Sequence, residues 1–267
     1  MGDMELRAIL PIHAPSLLGF LKARAVEGVE EVDGTTYRRS LRLANGPAVI
    51  AVDLGALSWR LEAGDPRDRA EAEARVRAML DLDADPALID GTLAADPLLR
   101  ELVTAAPGRR VPGTVDPAEI AFRAVLGQQV SVAAARTQAG RLTARLGERL
   151  TDPRGAVTHL FPTPIALAAL DPATLPMPRA RGRTLVGLAQ ALAGGLDPRD
   201  RDELTILPGI GPWTADYVAM RCGDRDVLLE TDLGVRKGLQ RLGAHDHDTD
   251  RWRPWRSYAV QHLWSLA

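Results

Sequence analysis

The run Leu207-Pro208-Gly209-Ile210-Gly211-Pro212-Trp213-Thr214-Ala215 holds the clearest chemistry in this chain of 267 residues. Two closely spaced glycines followed by a proline predict a tight loop that opens a helix at Pro212. The first amides of a helix have no intrahelical partner and sit at the positive end of its dipole, so such a loop can hold a phosphate. The spacing is not that of a Walker loop, which ends in Gly-Lys-Ser/Thr. Nor is it a dinucleotide fingerprint, because no strand precedes it and the third glycine is missing. Taken alone, a Gly-x-Gly turn also suits a plain helix–turn–helix connection.

Aromatic residues add a second signal. The chain has only Trp 5, Tyr 3 and Phe 3, yet six of these rings (Trp213, Tyr217, Trp252, Trp255, Tyr258 and Trp264) fall in residues 213–267. Trp213 and Tyr217 are four apart and share one helix face. The cluster reads either as a site or as a C-terminal core. Cys222, the one cysteine, rules out internal disulfides, Cys-rich zinc sites and four-cysteine iron–sulfur clusters; it reads as a small buried residue or loop thiol. His245-Asp246-His247-Asp248 has metal-ligand residue types, but its polar, glycine-flanked setting reads as a solvated loop.

Elements that would position these residues are legible around them. Residues 15–26 predict a short helix, and Leu57-Ser58-Trp59-Arg60-Leu61-Glu62 alternates like a half-buried strand. Asn45-Gly46 between apolar runs predicts a hairpin, and Asp65-Pro66 starts a helix reaching about Asp81. From residue 86 strand signals stop. Asp116-Pro117-Ala118-Glu119 opens a helix over 117–126, a second follows over about 130–146, and Thr163-Pro164, Asp171-Pro172 and Asp197-Pro198 repeat the start signal. These readings divide the chain into an α+β domain with an antiparallel sheet (1–87) and a helical domain (88–267). The first carries a net charge of −4 and the second +2, which together give the whole-chain −2. No apolar run approaches the ~18 residues of a membrane span, and the acidic start lacks a signal-peptide h-region. A cytoplasmic protein, at the nucleoid if it is bacterial, is the expectation.

Blocks at 19–26 (Gly-Phe-Leu-Lys-Ala-Arg-Ala-Val), 122–128 (Phe-Arg-Ala-Val-Leu-Gly-Gln), 130–133, 207–215 and 252–259 carry a resemblance across nearly the whole chain. They resemble the helix–hairpin–helix DNA glycosylase superfamily and, more narrowly, its AlkA family of bacterial DNA-3-methyladenine glycosylases II. The resemblance implies a mainly α fold: an N-terminal α+β domain with an antiparallel sheet, then two helical subdomains flanking a cleft, with the hairpin at about 204–222. It implies a monomer that grips double-stranded DNA through amides near Gly209, Gly211, Trp213 and Thr214. A structural Na+ or K+ on the carbonyls of Thr205, Leu207 and Ile210 goes with that grip, and the chemistry needs no cofactor.

The resemblance also assigns roles within the site. Asp232, 21 residues past Gly211, falls where the superfamily keeps its essential acid. A carboxylate at the start of a returning helix can stabilise an oxocarbenium-like transition state and orient water, although the same residue could merely cap that helix. The implied base pocket comprises Trp213, Tyr217, Trp255 and Phe20, with Arg24 at the site or its rim. Rings of this kind attract the positive charge of a flipped, alkylated purine. Gln129 stands where the family inserts a leucine wedge, Leu233 replaces an aromatic pocket residue, and Thr231 replaces a second acid. Only Lys22 and Lys237 are lysines, and Trp213 occupies the position of the Schiff-base lysine in lyase members. The expected activity is therefore hydrolytic removal of N-alkylated bases without strand cleavage. The alternative is a non-catalytic reader of DNA or lesions.

Overall fold

The computed structural model describes residues 3–244 and 247–267. Five antiparallel strands form one sheet in the order β1-β5-β4-β3-β2: β1 (Met4–Glu5), β2 (Glu30–Asp33), β3 (Thr36–Leu43), β4 (Gly46–Asp53) and β5 (Ser58–Ala63). The Asn45-Gly46 turn pairs Leu43 with Gly46, and Tyr37 faces Val52, which in turn faces Trp59. Period-two alternation sends Tyr37, Leu41, Leu43, Ile50, Val52, Trp59 and Leu61 to one side. There they pack against Leu17 and Leu21 of α1 (Ala14–Arg24) and Ala72, Val76, Met79 and Leu80 of α2 (Arg69–Leu80).

This apolar cluster takes its residues from positions 6–82 plus Val115. A second cluster joins α3 (Pro86–Ala95) and α4 (Pro97–Ala105) to Met220, Val235, Trp252, Tyr258 and Leu263. A third is built on α5 (Pro117–Leu126) and α6 (Val132–Leu146), and on α8 (Arg179–Ala193), to which the short α7 (Pro164–Ala168) adds Leu167. The chain thus returns to α3 and α4 only through its last elements, and the two helical clusters meet along α10 (Pro212–Arg221), which contributes to both. Among the described residues no helix is long and apolar enough to cross a membrane.

Helix starts follow the predicted chemistry. Asp85, Asp96, Asp116 and Thr163 each cap a helix that begins with proline, their side chains accepting amides of the first turn. Two expectations fail. Asp197-Pro198 makes a turn in which Asp197 Oδ1 accepts the Arg199 amide (2.9 Å), and the helix starts later, at α9 (Arg201–Ile206), capped by Asp200. Strands also do not end at residue 86, because β6 (Arg149–Arg154) and β7 (Val157–His159) form a hairpin. Its exposed, proline-containing first strand has no alternation to read. Tertiary bonds hold it instead: Gly28 O accepts the Thr158 and His159 amides (2.8 Å each), and Ser40 Oγ donates to His159 O (2.7 Å).

Candidate active site

The hairpin lies between α9 and α10. Gly209 takes φ +86°, and a Cβ there would meet Thr184 Oγ1 at 2.0 Å, so the site needs glycine for both conformation and room. Gly211 is the N-cap of α10 with no side chain to close it, and Pro212 follows. Among the described residues the amides of Gly209, Gly211 and Trp213 have no partner, whereas the Thr214 amide donates to Gly211 O (3.0 Å). Three of the four positions expected to offer an amide are therefore open, and Thr214 is engaged inside the turn. Of the three carbonyls expected to hold a cation, Leu207 O accepts the Ile210 amide (3.1 Å), while those of Thr205 and Ile210 have no backbone partner.

Asp232 caps α11 (Leu233–Arg241), its Oδ1 accepting the Val235 amide (3.0 Å). Two indoles also donate to this carboxylate: Trp264 Nε1 to Oδ1 (2.8 Å) and Trp213 Nε1 to Oδ2 (3.1 Å). Three donors from three elements fix its oxygens in space. Capping and a catalytic role are compatible here, because Asp232 also lines a cavity of about 350 Å³.

Rings form much of the cavity wall. Trp213 and Tyr217 stack on the α10 face with centroids 5.5 Å apart and planes within 12°. Trp264, near the end of α12 (Arg256–Trp264), tilts against Tyr217 at 6.5 Å and stacks on Phe20 at 6.3 Å. Phe20 thus backs a wall ring. The Arg24 guanidinium lies 3.8 Å over Phe20, and that of Arg221 is 4.9 Å from the same ring. Arg221 Nη1 also donates to Tyr217 Oη (2.8 Å), while Nε and Nη2 reach the carbonyls of Pro112 and Gly113. Burial alone would raise the Tyr217 pKa, but Arg221 and Arg24 outweigh it and pull it below the ordinary phenol range. Burial lowers the Arg24 pKa. Asp232 supplies the only carboxylate side chain among the lining residues, against Arg24, Arg123, Arg136 and Arg221.

Three expected pocket residues do not line the cavity: Phe20, which stands behind Trp264, and Trp255 and Leu233, which lie elsewhere. Trp255 packs edge-on against Tyr258 (5.9 Å) in the C-terminal core, with Arg225 over its face, and it does not line the cavity. The ring expected from Trp255 comes from Trp264, because α12 turns Trp264 toward Asp232 and keeps Trp255 at its N-cap. Leu233 follows Asp232 but is 66% exposed and is not a lining residue.

Gln129 is exposed at φ +56° in the turn between α5 and α6, flanked by the lining residues Gly127 and Val130. Its neighbour Gln128, unnoticed in the sequence, ties this turn to the hairpin through Nε2, which donates to Gly209 O (2.9 Å) and Thr214 Oγ1 (3.0 Å). Arg221 was also unnoticed, although the spacing 213, 217, 221 places it on the ring-bearing face of α10.

His245 and Asp246 lie outside the described residues, so the reading of that stretch as a solvated loop is open for them. His247 is anchored, bonding Asp96 (2.6 Å) and stacking on Trp252. Among the described residues no group of three or more His, Cys, Asp or Glu side chains could hold a metal ion. Cys222, half-buried at the end of α10, has its thiol pushed up to about 11 by burial.

Comparison with known proteins agrees with this geometry. Residues 3–116 match the AlkA N-terminal domain family. The chain is 47% identical to the Mycobacterium tuberculosis protein named probable bifunctional transcriptional activator/DNA repair enzyme AlkA, over 99% of this chain and 57% of that protein. It therefore spans little more than half of that relative. Identity is 38% to Escherichia coli DNA-3-methyladenine glycosylase 2, over 93% of this chain and 92% of that one. In fold it is similar to a 3-methyladenine DNA glycosylase from Archaeoglobus fulgidus, with a TM-score of 0.81, 20% identity, and coverage of 99% and 97% of the two chains.

Proposed function

The chain belongs to the AlkA family of helix–hairpin–helix DNA glycosylases, and from that premise we propose that it hydrolytically excises N-alkylated bases, of the 3-methyladenine and 7-methylguanine type, from double-stranded DNA. The observation that carries this reading is the Asp232 carboxylate, held by two indole N–H groups at the wall of a ring-lined cavity.

The open amides around Gly209, Gly211 and Trp213 grip backbone phosphates without reading sequence. A monovalent cation on the free carbonyls of Thr205 and Ile210, with Leu207 O beside them, would add charge for the same grip. Gln129 enters the stack as the target base leaves it. The flipped base lies against Trp213, Tyr217 and Trp264. As the C1′–N bond breaks, its electron pair leaves with the base, and the Asp232 carboxylate opposes the positive charge growing on the sugar. Water then adds at C1′, and its proton passes through Asp232 to solvent. Because the lining is rich in arginine, selection of a charged lesion rests on ring stacking and on its weakened glycosidic bond rather than on a negative pocket.

The lysines support a reading without strand cleavage: Lys22 on α1 and Lys237 on α11 are not among the cavity's lining residues, and Trp213 holds the position after the hairpin. Borohydride is expected to trap no DNA adduct, and a trapped adduct would overturn the monofunctional reading. The main test is release of 3-methyladenine and 7-methylguanine from alkylated duplex DNA. Wild type should release them as a monomer, and Asp232→Asn should be slower by about 10²–10³-fold, the loss typical for a key electrostatic group. No release by wild type would overturn the enzyme reading in favour of a lesion-binding protein, and equal rates would overturn the role of Asp232.

A further inference from the structure

A second cavity, of about 190 Å³, adjoins the base cavity. Of the residues lining the two, only Arg24 and Trp264 belong to both, so these side chains form the partition between them. Tyr217 and Asp232 stand on one side of it, and Phe20 and Pro112 on the other.

The two halves of the partition are held differently. Trp264 is tied through Nε1 to Asp232 (2.8 Å) and stacks on Phe20 (6.3 Å), so it cannot yield without dismantling the site. Arg24 ends α1 and reaches the partition with its side chain. Its backbone oxygen accepts Arg123 Nη2 (2.6 Å), which fixes the stem. Its guanidinium lies 3.8 Å over Phe20 and 5.8 Å from Trp264, and it donates to the Tyr217 hydroxyl. No carboxylate side chain lines the smaller cavity. Arg24 is therefore clamped by rings on both sides of the partition, and what it contributes there is bulk. Side chains packed in this way leave no space for a large added group.

We propose that Arg24 is a specificity-determining residue: it closes the base cavity on the side of Phe20 and so limits the size of the alkyl group that an excised base can carry. The inference rests on the glycosylase reading and deepens it. A shorter side chain at position 24 joins the two cavities and admits a substituent of benzyl size, which then lies against Phe20 and Pro112. Length rather than charge sets the limit, so a methionine, unbranched and adaptable in shape, leaves the partition in place.

The test compares the release of methylated and of benzylated purines from alkylated duplex DNA, above spontaneous loss, by wild type, Arg24→Ala and Arg24→Met. The readout is the ratio of kcat/KM for benzylated to methylated purines, because a general loss of folded enzyme lowers both rates and leaves their ratio unchanged. Arg24→Ala should raise the ratio at least about tenfold, as a newly accommodated ring implies, and Arg24→Met should keep it within about twofold of wild type. If Arg24→Ala does not fold, Arg24→Val, whose branched stem stops short of the rings, carries the same expectation. An unchanged ratio in the shortened variant, or an equal rise in Arg24→Met, would overturn the size limit. Absence of any release by wild type would sink the glycosylase reading together with this inference, whereas methylpurine release at an unchanged ratio sinks this inference alone.

Discussion

Each indole that donates to Asp232 contributes both a ring face and a polar edge, so its removal should be read in kinetics rather than in folding. Trp264→Ala is expected to lower kcat/KM for alkylated DNA by roughly tenfold or more, through one lost charge-assisted bond and the lost stacking surface. Trp255→Ala is expected to leave the kinetics of the folded enzyme near wild type and to reduce stability by about 2 kcal/mol, less than a fully buried tryptophan would cost. The opposite ranking, measured on the two purified variants, would reinstate Trp255 as the pocket ring.

His262 supplies a pH-dependent prediction at the same scale. Burial first, then Arg109 and His13, lower its pKa from 6.5 to about 3. The unfolded chain takes up a proton below pH 6.5 that the folded chain refuses, so stability is retained above that pH and drains away toward pH 3. Between pH 7 and 5 wild type should lose on the order of 2 kcal/mol more than His262→Gln in urea unfolding. Parallel pH profiles would remove His262 from the account.

Two elements, the hairpin and the turn between α5 and α6, are joined by Gln128, and that joint should matter more to DNA binding than to folding. Gln128→Ala removes both bonds and should weaken binding to abasic duplex by roughly tenfold, while the unfolding free energy in urea falls by no more than about 1 kcal/mol. Gly209→Ala meets two obstacles, a left-handed backbone and the Thr184 hydroxyl. It should cost about 2 kcal/mol or more, and Thr184→Ala should restore only part of this because the positive φ remains. Full restoration, measured as a double-mutant cycle, would show that crowding alone requires glycine. The hairpin and the helix it opens were legible because proline and glycine act locally, whereas the acid 21 residues beyond Gly211 was singled out by the family resemblance. The β6–β7 hairpin was not legible, because distant residues on β3 and near β2 supply the bonds that hold it.

Across the whole molecule, a buried ionic group fastens the N-terminal sheet to the helical part. Arg39 on β3 donates to Glu119 on α5 (2.7 Å), and Arg123 donates to Glu119 and Glu30 (2.9 Å each). Burial alone would raise the Glu30 pKa, but Arg123, Arg39, the Tyr37 hydroxyl and the Val26 amide together hold it below the ordinary range. Such an acid contributes stability above its unfolded pKa and loses it as pH falls through the lower folded value. Glu119→Gln leaves two buried guanidinium groups under-paired and should cost about 3 kcal/mol or more at pH 7. Adding Arg39→Met should recover part of that loss, and strict additivity of the two substitutions would show that the pair is not coupled.

By itself the sequence determined the local grammar of this protein: which residues start helices, where the Asn-Gly turn folds the sheet, and where a Gly-x-Gly-Pro loop opens a helix. These signals survive in one dimension because each arises from groups within a few residues of one another. Only the tertiary structure decided which of the clustered rings faces the acid, since Trp255 and Trp264 lie on one short helix and differ in what packs around them. The same holds for the joining of Gln128 to Gly209 and of Arg39 to Glu119. Separations of 81 and 80 residues leave no periodicity to read, and long-range packing alone sets those partners.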